Sequence, residues 1–120
     1  MFKNRVLMGH RGLRWEAPEN TMESYELARQ SGIQILDVDV QASSDGVPLM
    51  LNAVDLSTYT NLTGFVWEHS ASDYEFARVQ GRYNGLHKSA PVATFEETIV
   101  FAMKHHIPLV IDVKNKTASA

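Results

Sequence analysis

The sequence predicts an α/β fold on a short parallel sheet, and three observations predict it. Strand-like runs lie at about Arg5 to Gly9, at Ile33 to Gln41 and at Pro108 to Lys114. Two stretches with helical spacing and helix-start signals separate them. The connections are long enough for right-handed crossovers, which make the three strands parallel and adjacent. Their C-terminal ends then bring His10, Arg11, Asp37, Asp39, Asp112 and Lys114 to one rim. Open α/β sheets and barrels carry their chemistry at that edge.

Each element has its own signal. The first strand is short and apolar and hands over at Gly9-His10-Arg11-Gly12 to a loop. Asn20 reads as the N-cap of the first helix, with Glu23 placed to reach back as in a capping box. Met22, Tyr25 and Ala28 give that helix its apolar face, and Gly32 stops it. From Ile33 the pattern alternates, so Ile35, Asp37 and Asp39 point one way and Leu36, Val38 and Val40 the other. Ser44-Asp45-Gly46 is a turn, and Val47 to Leu51 is the return arm of a hairpin. Residues from about 53 to 91 are irregular, with one short helix expected from Ser72 to about Val79. Thr94-Phe95-Glu96-Glu97 is a second capping box, and its helix runs to about His105 with Phe95, Ile99, Ala102 and Met103 as its apolar side. The third strand follows, and the tail from Asn115 to Ala120 carries no element.

Composition narrows the classes. At 120 residues the chain is one domain, short for a closed α/β barrel, which takes about 250 residues. A net charge of −3 argues against nucleic acid as the main partner. With no cysteine there is no disulfide or thiolate chemistry. No run of about 18 apolar residues is present to span a membrane. The opening residues are too short a run for a signal-peptide core, which makes a cytoplasmic protein the default expectation.

The rim has a recognisable chemistry. Asp37, Asp39 and Asp112 on neighbouring strands form a hard-oxygen set suited to Mg²⁺ or Ca²⁺. His10 can move a proton near neutral pH. Arg11 and Lys114 are suitable donors to phosphate oxygens. Together they point to cleavage of a phosphate ester. Glu19 and Asn20 read as loop and cap residues, and Trp15 and Trp67 as packing. His69 and His87 are expected at the surface, and His105-His106 at a helix C-terminus.

His10-Arg11-Gly12, Ala17-Pro18-Glu19-Asn20-Thr21, Asp37-Val38-Asp39-Val40, Asp45-Gly46-Val47-Pro48, Thr94-Phe95-Glu96-Glu97 and Asp112-Val113-Lys114 resemble, in order and spacing, the glycerophosphodiester phosphodiesterases. The resemblance implies a TIM-barrel fold and hydrolysis of a small glycerophosphodiester to an alcohol and glycerol 3-phosphate with a divalent cation, Mg²⁺ or Ca²⁺. It makes residues 1–120 a truncated domain with about three of the eight barrel strands. Residues 53–91 fall where the family inserts a small subdomain. It implies His10 as catalytic acid–base, Arg11 and Lys114 as substrate-binding groups, and Asp39 as a metal ligand. Asp37 and Asp112 stand where the family usually has metal-binding glutamates, each shorter by one methylene, roughly 1.5 Å of reach.

The chain departs from the family at Asn52-Ala53, where members typically have His-Asp, and at Thr58 and Tyr59, where they have an arginine and a threonine. Asn52 therefore occupies the position of the second catalytic histidine, and it cannot carry a proton. Losing a general acid–base costs about 10²–10⁴-fold in rate. A second reading follows from a different class: a catalytically inactive binding module that assembles through exposed strand edges, as a homo-oligomer or with a missing C-terminal half.

Overall fold

The chain runs β1 (Met8–His10), α1 (Met22–Gln30), β2 (Ile35–Ala42), β3 (Pro48–Leu49), β4 (Arg78–Tyr83), β5 (Leu86–Pro91), α2 (Phe95–His105) and β6 (Leu109–Val113). Single 3-10 turns lie at Leu56–Thr58, Val66–Glu68 and Ala71–Tyr74. The computed structural model describes residues 7–12, 14–52 and 54–113. The expectations that fall on Arg5, Val6, Ala53, Lys114 and the tail lie outside them.

Strand β2 is the centre of the sheet. It pairs in parallel with β1 on one side and with β6 on the other, so that Leu36 faces both Gly9 and Leu109. This is the predicted parallel arrangement. Strand β3 folds back antiparallel on the end of β2, with Gln41 opposite Leu49. Because side chains alternate, the register sorts the sheet into two faces. Leu36, Val38 and Val40 meet Tyr25 and Ala28 of α1 and Phe101 of α2 in the main core. Met8, His10, Ile35, Asp37, Asp39, Gln41, Val110 and Asp112 share the opposite face.

Helix α1 begins one residue later than predicted. Its N-cap is Thr21, whose hydroxyl accepts from the Ser24 N–H at 3.3 Å. Asn20 cannot cap because its backbone is left-handed, with φ 56°, whereas an N-cap is extended. Glu23 is exposed and closes no box. Helix α2 opens on the predicted capping box: Thr94 Oγ1 accepts from the Glu97 N–H, and Glu97 Oε1 accepts from the Thr94 N–H at 2.9 Å. Its buried face is Thr98, Phe101 and Ala102. Met103, predicted inward, is 71% exposed because no described element packs on the flank of α2 that it occupies.

A second core joins Leu56, Val66, Tyr74, Ala77 and Val79 to Leu49 and Leu51. The expected helix from Ser72 to Val79 is only the 3-10 turn Ala71–Tyr74. Val79 instead lies in β4, fully buried and paired with Ala90. Strands β4 and β5 form a hairpin whose turn residues, Asn84 and Gly85, both have positive φ. That is the two-residue type I′ turn Asn-Gly favours. Trp67 stacks on Phe65 at 4.8 Å, as packing requires. Trp15 does not pack inward: it is 75% exposed, with the Arg14 guanidinium 4.6 Å above its ring. Among the described residues no helix is long and apolar enough to cross a membrane.

Candidate active site

The rim forms where β1 runs out. Arg11 has a left-handed backbone, φ 56°, and three hydrogen bonds hold it there. Its N–H donates to the Asp37 carbonyl, and its own carbonyl accepts from the Asn20 N–H at 2.8 Å and from Ser24 Oγ at 2.9 Å. Gly12 follows with φ 84°, and a Cβ there would lie 2.1 Å from Ser24 Oγ. This close approach explains why the position after Arg11 must be glycine. The loop thus pins the start of α1 against the end of β1.

Two acid–base pairs stand on this frame. His10 Nδ1 lies 3.0 Å from Asp37 Oδ2, with the imidazole half exposed. A carboxylate on Nδ1 leaves Nε2 as the atom that exchanges a proton. Arg11 is mostly buried between two carboxylates. Its Nη1 donates to Glu19 Oε2 at 3.0 Å, and its Nε is 2.7 Å from Asp39 Oδ2. The second contact is ionic rather than directional, since the buried Nε–H makes no aligned hydrogen bond among the described residues. Asp39 is 3% exposed, and a carboxylate so deep must be paired. Besides Arg11 it has Asn20, whose Nδ2 donates to Asp39 Oδ2 at 3.3 Å and whose Oδ1 accepts from the Asp39 N–H at 3.2 Å.

The stretch between β3 and α2 reaches the same rim. Tyr59 donates its hydroxyl to the Asn52 carbonyl at 2.8 Å. Burial first, and then the charge of Glu19, push its phenol well above the usual range. Tyr83, on the hairpin, is raised in the same way by burial and by Glu19. Lys88 Nζ donates to the Glu16 carbonyl at 3.0 Å and ties the hairpin to the rim loop.

The structure therefore brings His10, Arg11, Asp37 and Asp39 together as the sequence predicted. Asp112 sits beside Asp39 in the β2–β6 register. Among the described residues no three His, Asp or Glu side chains gather into a group that could hold an ion. The three aspartates are the right donors for Mg²⁺ or Ca²⁺ but, as arranged, do not fit one. Asp37 is turned to His10, and Asp39 to Arg11 and Asn20. Glu19, Asn20 and Tyr59 were not predicted as site residues.

The model of the glycerophosphoryl diester phosphodiesterase family matches residues 10–120. The chain belongs to this family. A phosphodiesterase of that family from Mus musculus, named a glycerophosphoinositol inositolphosphodiesterase, is 38% identical over 62% of this chain and 14% of its own. An uncharacterized protein of Bacillus subtilis is 27% identical over 91% of this chain and 45% of its own. The glycerophosphoryl diester phosphodiesterase domain of a Mycobacterium tuberculosis protein superposes with a TM-score of 0.82 and 25% identity, over 90% of this chain and 43% of that one. A phosphodiesterase of Oleispira antarctica, solved with the product sn-glycerol-3-phosphate, gives 0.80 and 27%, over 92% and 45%. The chain spans less than half the length of these relatives. Its sheet and two helices are a partial TIM barrel of the glycerophosphoryl diester phosphodiesterase type.

Proposed function

We propose that this chain carries the phosphodiester-cleaving rim of a glycerophosphodiester phosphodiesterase, which hydrolyses its substrate to an alcohol and glycerol 3-phosphate. One observation supports this most: the His10–Asp37 pair stands next to a deeply held arginine at the C-terminal edge of parallel strands. Water adds to phosphorus, the bond from phosphorus to the alcohol oxygen breaks, and that oxygen takes up a proton. Arg11 uses the guanidinium edge not engaged by Glu19 and Asp39 to stabilise charge on the phosphoryl oxygens. His10, oriented by Asp37, moves one proton through Nε2. Lys114 adds a second cation for the phosphate.

A divalent cation at Asp37, Asp39 and Asp112 belongs to the same proposal, and Asp39 would offer it Oδ1, since Arg11 and Asn20 both hold Oδ2. A ligand of the native state raises the melting midpoint by mass action. Mg²⁺ or Ca²⁺ is expected to raise it in the wild type and not in Asp39→Asn; a wild-type midpoint blind to both ions removes the metal from the proposal. Hydrolysis itself is tested with a panel of glycerophosphodiesters. His10→Ala should abolish glycerol 3-phosphate release, and turnover that survives it overturns the mechanism.

Asn52 favours a second reading, a phosphodiester-binding module without turnover, because an amide cannot replace the second proton-transfer group. Binding of sn-glycerol 3-phosphate with no hydrolysis of any substrate in the panel selects this reading.

A further inference from the structure

Asn20 touches both halves of the buried ion pair. Its backbone N–H holds the carbonyl of Arg11 at 2.8 Å. Its side chain holds Asp39 twice, through Nδ2 to Oδ2 and through Oδ1 from the backbone N–H. The residue is 1% exposed and adopts φ 56°, a conformation asparagine tolerates far better than most side chains. It is not the cap of α1, since Thr21 fills that role. What remains for its amide is to fix the rotamer of Asp39.

That rotamer matters because Arg11 meets Asp39 without a directed hydrogen bond. An ionic contact alone permits the carboxylate to rotate and the guanidinium to slide. The two amide bonds remove that freedom for Asp39, and the bond that Nη1 donates to Glu19 Oε2 fixes the other end of the guanidinium. We propose that Asn20 is a positioning residue: by clamping Asp39 it sets the direction in which Arg11 meets the phosphoryl group. The inference rests on the phosphodiester reading of the site, and it places the arginine's precision in the Ala-Pro-Glu-Asn loop rather than in β2.

Two substitutions separate positioning from folding. Asn20→Asp differs little in shape and keeps the acceptor for the Asp39 N–H, but it loses the amide donor and sets two carboxylates together. Asn20→Gly keeps the left-handed backbone and removes both side-chain bonds. The readouts are the melting curve, the Arg11 Nε–Hε resonance in the free protein, and titration with sn-glycerol 3-phosphate as the probe. Both variants should melt cooperatively, and the Arg11 resonance should shift and exchange faster with water. Affinity for the probe should fall about tenfold or more. Folded variants with an unmoved resonance and wild-type affinity overturn the proposal. If Asn20→Gly fails to fold, Asn20→Asp alone decides. If the wild type ignores the probe, the phosphodiester reading fails, and the Arg11 resonance in the free variants still decides whether Asn20 positions it.

Discussion

One histidine stands at a rim where the family resemblance implies two. His10 is oriented by Asp37 at 3.0 Å and can transfer a single proton, while Asn52 beyond β3 contributes its carbonyl to Tyr59. If the missing transfer limits the reaction, restoring it repairs the rate. Asn52→His together with Ala53→Asp should raise turnover about 10²-fold or more, the usual worth of a positioned general acid–base. The double variant and the wild type are compared under saturating substrate. An unchanged rate would place the limitation in the shortened side chains of Asp37 and Asp112. At this scale the sequence showed four of the residues that the rim brings together. His10, Arg11, Asp37 and Asp39 were legible because strand alternation puts them on one face at one end. Glu19 and Asn20 were hidden by a backbone feature no periodicity reports: the left-handed turns at Arg11 and Asn20, which swing the loop back over the strand. The available signal was an asparagine, which after glycine is among the residues most tolerant of that conformation, directly before the true cap.

The stretch between β3 and α2 is held to the turn after β2 by a clip around His69. Its Nε2 is 2.6 Å from the Thr63 carbonyl and its Nδ1 is 3.2 Å from Asp73 Oδ2. Two acceptors on one imidazole call for both ring N–H groups, which only the protonated ring has. The Thr63 bond first, and then Asp73, raise its pKa above the ordinary 6.5, with Glu68 adding a further negative charge. Across the junction, the Ser44 N–H donates to the His69 carbonyl, and the Asp45 carboxylate accepts from the Ala71 N–H at 2.9 Å. A raised pKa gives stability that is complete below 6.5 and lost as pH rises through the folded-state value. The wild-type midpoint should therefore fall with rising pH across that range more than the midpoint of His69→Gln. Amide exchange at Ala71 should quicken in the same window. Equal pH profiles for the two proteins would show that the clip carries no stability. Elements were legible in proportion to their local signals. The Thr94–Glu97 box marked α2 to the residue. The β4–β5 hairpin was not expected, because Gly81 interrupts the strand alternation around Val79; its one local signal is the Asn84-Gly85 turn.

A closed barrel fills the sheet face opposite its helices and leaves no edge. Among the described residues this chain does neither. Met8 and Val110, on the interior face below the charged rim, are about half exposed, and no described strand pairs with the outer side of β1 or β6. The sequence foretold this from the count of strands alone, since three cannot close. It could not foretell which side chains would be stranded, because that depends on the register of β6 against β2. The edge of β6 presents Leu-Val-Ile-Asp-Val with Val110, Ile111 and Val113 all substantially exposed. Such an edge templates pairing with another strand. The isolated chain should therefore self-associate as its concentration rises, which light scattering across a dilution series measures directly. Val110→Lys should suppress the association, because a charge on an edge strand must be buried or repelled when two edges meet. It should leave the melting midpoint of the dilute protein nearly in place, since Val110 is about half exposed and lies outside the core. A wild type that stays monomeric at every concentration would overturn the edge as a contact surface. A variant that associates as strongly as the wild type would move the contact to the β1 edge, where Met8 and the preceding Leu7 are equally exposed.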